Sequence, residues 1–399
     1  MLQKRAIIFL VIGIALSACW NRTGKEVGGT GFLEKNRDTV NLNFTVEEAP
    51  EWTGMFYRNH GWFGADGIFS IPLGGSRSKK GSDGILFVFS DTMIGEPDSM
   101  KFRMVNNSVA YLKGKEPVKK NINFFHDESE DGKPRALFIP NTPNSQPSDY
   151  YWLGDGFVHP SSNNTYLFAY RMRNMGKGAW SFSQVGNALI VIPAGSSPPF
   201  KDHKQIETPF LTRGENESGN AYLGAGIFVN TASAGAPDPD GYIYVYGKKD
   251  ELQGVIVARV LPKNFEKFDK WVFWDGNNWV SSITEAVSVA HRVSNELSVS
   301  PLDDGRYALV FQIDGIGNRV GLCLGLTPYG PFGPIIELWE TTEGEQKNYY
   351  TYNAKAHPAL SNPGELLISY NVNAFDFFRE IRKNPYLYRP RFIRLKLND

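Results

Sequence analysis

The chain has 399 residues, with 42 Lys plus Arg against 42 Asp plus Glu and a formal net charge of zero at pH 7. Without a basic run or an arginine cluster, that balance argues against nucleic acid as a partner. Cysteine occurs only at Cys19 and Cys323, so no disulfide framework is expected and a fold of about 350 residues must be held by its own core.

Residues 1–18 read as a signal peptide. Lys4 and Arg5 form the positive start, AIIFLVIGIALSA the apolar stretch, and the run is too short for a membrane span. Leu16-Ser17-Ala18-Cys19 resembles the bacterial lipobox, which implies cleavage before Cys19 and lipidation, palmitate included, of its thiol. The expectation is a lipoprotein of the bacterial cell envelope, held to the membrane by lipid without spanning it. A soluble periplasmic protein with an incidental cysteine is the alternative. Residues 19–40, polar and Gly-containing, read as the tether.

From residue 41 to 399 the chain repeats. FGADGIFS, LGDGFVHP, LGAGIFVN, SNELSVSP and KAHPALSN place Asp66, Asp155, Ala225, Glu296 and His357 at one recurring position. Each stretch is followed by an apolar second run: GILFVFSD, TYLFAYRM, GYIYVYGK, RYALVFQI and ELLISYNV. Turn pairs precede these runs, namely Asp83-Gly84, Asn163-Asn164, Asp240-Gly241, Asp304-Gly305 and Pro363-Gly364. Third runs follow at SVAYLK, NALIVIP, GVIVARVL, VGLCLGL and RFIRLKL, and Cys323 in the fourth of these reads as a small buried hydrophobe. Fourth, outer strands are expected at PRALFIP, KQIETPFL, KWVFW and IIELWE; NLNFTVEEAPEW would complete the last unit, and AFDFFREIRKN is a short helix. The fold class is all-β, a five-bladed β-propeller whose ring is closed by an N-terminal strand; radial repetition leaves few sheet edges exposed. A many-stranded β-sandwich, the rival, leaves the five-fold register unexplained.

If strands alternate in direction, the first strands start, the second strands end and the third strands start at one mouth. That places Asp91, Arg171, Gln312, Asn371 and Asn373 in the pocket as substrate ligands, with Asn107, Asn187 and Arg391 close by and Trp62, Tyr151, Trp152 and Tyr222 as aromatic lining. Glycoside hydrolysis needs one carboxyl group to protonate the leaving oxygen and another as base or nucleophile. Burial or a neighbouring carboxylate keeps the first protonated near neutral pH. Glu296 is read as the acid, Asp66 as base or nucleophile, and Asp155 as the group that orients the sugar or tunes Glu296. Against this stands a structural reading of Asp66 and Asp155 as turn residues bonding backbone amides. Asp91 either caps a loop or binds substrate. For His357 a core role, a substrate contact and a place beside a central ion are all open. Arg171 and Arg391 are candidates to pair with the carboxylates. The chemistry requires no cofactor; a calcium-like ion in the channel is left open, and no spacing marks a metal site.

The triad of two Asp and one Glu on blade-opening strands looks like the five-bladed propeller glycosidases of glycoside hydrolase families 43, 32 and 117, in which the Asp comes first and the Glu acid later. GADGIFSIPL and GILFVFSDTMIG also resemble bacterial lipoproteins with a DUF4185-like or DUF5005-like signature, G-D-G followed by F-G-D-T. Ser90 stands where that signature has Gly, and the Asn-Asp-Pro opening of family 32 is absent. The resemblance implies a monomeric glycoside hydrolase acting on a poly- or oligosaccharide. The alternatives are a non-catalytic glycan-binding surface lipoprotein and, ranked last, a propeller lyase using His357 and a tyrosine.

Overall fold

The computed structural model describes residues 37–74, 84–176, 178, 180–214, 220–249, 251–346 and 348–398. The signal peptide, Cys19 and most of the tether lie outside them. Among the described residues no helix is long and apolar enough to cross a membrane.

Five main antiparallel sheets follow one another along the chain, each beginning with a strand from one of the repeats. The first holds Phe69–Pro72, Ile85–Phe89, Ser108–Leu112 and Ile122–Phe125; the second Tyr150–Val158, Thr165–Asn174, Phe182–Ile192 and Lys204–Glu207. The third runs through Ala221–Asn230, Tyr242–Lys249, Gly254–Val260 and Val272–Trp274, and the fourth through Val293–Pro301, Tyr307–Ile313, Arg319–Gly325 and Ile336–Glu340. The fifth has Tyr349–Ala356, Glu365–Ala374 and Pro390–Leu397, and its outer strand is Phe44–Glu48 from the start of the domain, with Phe44 opposite Leu397. That N-terminal strand pairs where the sequence places it. A three-stranded extension of the first sheet (Gly61–Ala65, Thr92–Glu96 and Lys101–Val105) continues beyond Asp66 and Asp91.

The second strands are apolar on both faces because sheets pack on both sides of them. Every residue of Ile85–Phe89 and of Tyr307–Ile313 is buried, so these strands read as continuous apolar runs instead of alternating ones. Cys323 is buried in the core between the third and fourth sheets, beside residues such as Tyr246 and Phe311. The outer strand of the first sheet is Ile122–Phe125, not PRALFIP. There the Asn107 side chain takes both the N–H and the carbonyl of Phe138, and within that segment Pro134–Arg135 pairs with Asp127–Glu128, outside the first sheet.

Neighbouring sheets are latched by a recurring device. A buried side chain on or beside the second or third strand donates to a strand of the next sheet or, for the first sheet, of its extension. Asn107 Nδ2 reaches Tyr151 O (3.0 Å), Asn187 Nδ2 reaches Leu223 O (2.8 Å) and Lys248 Nζ reaches Val293 O (2.5 Å). Gln312 Nε2 reaches Thr351 Oγ1 (3.0 Å), and Asn371 Nδ2 reaches Ala65 O (3.2 Å), joining the fifth sheet to the first. Asn107, Gln312 and Asn371 were expected to hold sugar; their amide nitrogens are instead committed to strand contacts, because a buried carbonyl or hydroxyl on the neighbouring strand needs a donor.

Removing such a latch leaves a buried carbonyl unpaired. Asn187→Ala is expected to cost about 1–3 kcal/mol of stability in urea unfolding. A loss under about 0.5 kcal/mol, the usual range of a neutral surface change, would contradict the latch.

Candidate active site

The carboxyl groups owe their positions to β-bulges. In the first strands of the second to fifth sheets the register slips between Leu153 and Gly156, Leu223 and Gly226, Val293 and Leu297, and Tyr352 and Lys355. A bulge leaves residues unpaired and turns their side chains out of the ladder. Asp155, Ala225, Glu296 and Ala354 occupy these slips. In the first sheet Asp66 sits at the break between two strands, held by Asp66 N to Asp91 O (3.2 Å) and Ser90 N to Asp66 O (2.9 Å). The glycines of L-G-D-G and L-G-A-G serve close approach. A Cβ on Gly154 would lie 2.6 Å from Gly224 O, and Gly224 itself has φ +110° with Phe168 against it. Ser90, the departure from the F-G-D-T signature, uses its hydroxyl to grip both the N–H and the carbonyl of Leu153 in the second sheet.

His357 does not belong to this column. It follows the fifth first strand, three residues past Ala354, and is fixed between Ser70 Oγ and Ser369 Oγ, each at 2.8 Å. Burial, and then the charge of Lys355, lowers it to about 3, so it is neutral near pH 7. Ala225 carries no chemistry: its methyl group is fully buried in the core between the third and fourth sheets.

Asp66, Asp91, Asp155 and Glu296 are differently held. Asp66 Oδ2 accepts from the Tyr352 hydroxyl (2.7 Å), and the Tyr388 phenol lies beside the same carboxyl. Burial raises Asp66 above the usual carboxylate range while the two phenols pull the other way. Asp91 Oδ1 accepts from Trp152 Nε1 (3.0 Å) and Asn106 Nδ2 (3.1 Å); burial and then the charge of Asp66 push it up to about 7. Asp155 gives one oxygen to Gly156 N (2.8 Å) and the other to Ile227 N in the third sheet (2.7 Å). It therefore meets the structural expectation of a backbone clasp, although burial lifts it to about 7. Glu296 Oε1 accepts from Asn353 Nδ2 (2.8 Å) and Oε2 lies 2.6 Å from Lys355 Nζ. Burial outweighs that ammonium, and with the charge of Asp66 leaves Glu296 near 7.

Lys355 is buried, donates to Asn353 O (2.9 Å) and lies over the Phe69 ring at 4.7 Å. Neither it nor Tyr352, Tyr388 or Asn353 was foreseen. Tyr352 and Asn353 stand in the fifth repeat just ahead of Lys355, and the signal there is a lone cation in the otherwise uncharged run TYNAKA; Tyr388 comes from a connection with no repeat to mark it. Arg171 and Arg391 hold none of the four carboxyls. Arg171 Nη2 lies 3.0 Å from Glu207, with its guanidinium also beside Asp149, and Arg391 pairs with Glu343 at 3.1 Å. Trp62 and Tyr151 are core residues, whereas Trp152 is half-buried against Asp91. Beyond the bulges, at the C-terminal ends of the first strands, lies a cavity of about 560 Å³ lined in part by Asp155, Lys355, His357 and Ser70. Among the described residues no three His, Cys, Asp or Glu side chains are grouped to hold a metal ion.

An all-β chain whose successive sheets turn carboxyl groups toward one lysine is thus defined. Residues 50–397 match the model of DUF5005, a domain of unknown function, and the chain belongs to that family. No curated protein is detectably similar in sequence. A candidate hydrolase from Bacteroides ovatus is 19% identical with a TM-score of 0.67, over 90% of this chain and 97% of that one, and shares the fold. An exo-β-1,3-galactanase from Phanerochaete chrysosporium is 9% identical with a TM-score of 0.47, over 84% of this chain and 62% of that one. A GH43_1 enzyme from Xanthomonas citri is 13% identical with a TM-score of 0.46, over 88% and 90%. Likenesses as weak as these last two carry no argument.

The Asp91 carboxyl is raised in the folded state from 3.8 to about 7, so its contribution to stability is fullest below 3.8 and is lost as pH climbs through 7. Asp91→Asn, whose amide oxygen can keep both accepted bonds, removes that loss. In calorimetry this variant is expected to melt above wild type at about pH 8.5, with the gap narrowing toward about pH 4. Equal melting temperatures at the higher pH would show that Asp91 is not held neutral by its site.

Proposed function

We propose that the five sheets are the blades of a closed five-bladed propeller and that the protein is a glycoside hydrolase acting on a poly- or oligosaccharide. The observation that carries this reading is that Asp66 of the first sheet and Glu296 of the fourth both feel the charge of one buried lysine, with Glu296 held near 7. A general acid serves best when its pKa lies close to the working pH.

In this reading Glu296 gives its proton to the glycosidic oxygen. Asp66, oriented by Tyr352 and Tyr388, either takes a proton from the attacking water or bonds to the anomeric carbon and is later released by water. As Glu296 loses its proton, the ammonium 2.6 Å from Oε2 faces a growing negative charge, which favours the transition state over the ground state. Asp155, with both oxygens taken by backbone N–H groups, joins the second and third sheets beside the acids instead of touching substrate. Asp91 and Trp152 would hold the sugar beside Asp66. The lipobox-like Leu16-Ser17-Ala18-Cys19 supports a lipid anchor in the bacterial envelope, with the domain working as a monomer on carbohydrate.

Asp66→Asn and Glu296→Gln are each expected to lower turnover of a polysaccharide identified by screening at least about a hundredfold, the usual worth of a general acid or base, with unchanged circular dichroism. Near-wild-type turnover by either variant would refute the assignment. Tight binding of the polysaccharide by wild type with no bond cleavage would instead favour the glycan-binding reading.

A further inference from the structure

The acid cluster is approached by two lines of aromatic rings. The connections between second and third strands all leave the sheets at the end where the first strands begin. Each of the five carries at least one exposed large apolar side chain, from Met100 in the first sheet to Phe378 in the fifth. In two of them the exposed residue starts a continuous path inward. From the second sheet, Trp180 is 59% exposed, with its ring 6.4 Å from Phe182; Phe182 meets Trp152 edge-on at 4.8 Å, and Trp152 Nε1 donates to Asp91. From the fifth sheet, Phe375 is 58% exposed and 4.8 Å from Tyr350; Tyr350 lies 5.5 Å from Tyr352, whose hydroxyl donates to Asp66.

The two lines come from sheets on either side of the first, which contributes both Asp66 and Asp91. Aromatic faces offer flat apolar area at low entropic cost, and hydrogen-bonding groups at their inner ends fix orientation. Both lines end on a carboxyl of the site, which ties their occupant to the ligand of that site. We propose that they are carbohydrate subsites on opposite sides of the cleaved bond, and that the substrate is a polysaccharide chain lying across the mouth and cut internally. This rests on the glycosidase reading above. A disaccharide would reach from the carboxyls along one line only, whereas a longer chain engages both.

The test is affinity electrophoresis of Asp66→Asn protein in gels holding arabinan, xylan, β-1,3-galactan or β-1,3-glucan, with phosphatidylglycerol vesicles as a separate arm. At least one polysaccharide should retard the protein. Trp180→Ala and Phe375→Ala, both changes at exposed positions, should each weaken that retardation about tenfold, and the hexasaccharide should bind about tenfold tighter than the disaccharide. The inference is overturned if either rim variant binds as its parent does, if no polysaccharide in the set retards the protein, or if the rim changes abolish only vesicle binding, which would make the rim a membrane-docking face. Turnover by otherwise wild-type protein separates the two readings. Binding through both lines without cleavage sinks the hydrolase and the internal cut and leaves two glycan-binding lines only, whereas cleavage that both rim variants share unchanged keeps the hydrolase and removes the lines.

Discussion

The buried ammonium of Lys355 is what allows carboxyl groups from different sheets to lie within reach of one another. At low dielectric, uncompensated carboxylates repel one another and are costly to desolvate. Lys355 Nζ lies 2.6 Å from Glu296 and its charge reaches Asp66 and Asp155 as well. One positive charge does not neutralise all of them. The cluster therefore holds protons, and Asp91, Asp155 and Glu296 each sit near 7. The same imbalance that weakens the fold at alkaline pH supplies a proton donor at neutral pH.

The sheets keep that arrangement fixed. Bulges aim Asp155 and Glu296 inward, and five buried side chains, Asn107, Asn187, Lys248, Gln312 and Asn371, tie each sheet to the next. Three of these contacts, at Tyr151, Val293 and Ala65, lie within a few residues of Asp155, Glu296 and Asp66, so slack there would move a carboxyl. Asp155 combines both duties, because its second oxygen is a latch onto Ile227 in the third sheet.

Much of this was legible in the sequence where local pattern and tertiary role coincide. Turn pairs followed by apolar runs mark the second strands because those strands are buried on both faces, and the outer strand Phe44–Glu48 is visible because the last repeat lacks a partner of its own. Asp66, Asp155 and Glu296 could be aligned because each precedes such a run. The fifth position could not: His357 lies past the end of the strand Tyr349–Ala356, whereas the bulge that matches the others lies upstream between Tyr352 and Lys355, where Ala354 stands. Polar residues at strand ends were equally ambiguous. Asn107, Gln312 and Asn371 look like sugar ligands in one dimension and prove to be latches in three, while Arg171 finds Glu207 and Asp149, which nothing in the repeat could indicate. Lys355 and Tyr388 act across sheets, so no local pattern marks them.

The most direct test is a crystal structure of Asp66→Asn protein soaked with a hexasaccharide of whichever polysaccharide it binds. The account predicts sugar rings on both aromatic lines, with a glycosidic oxygen within hydrogen-bond reach of Glu296. Sugar seated only in the cavity at the C-terminal ends of the first strands, beside His357 and Ser70 and away from Glu296, would contradict it.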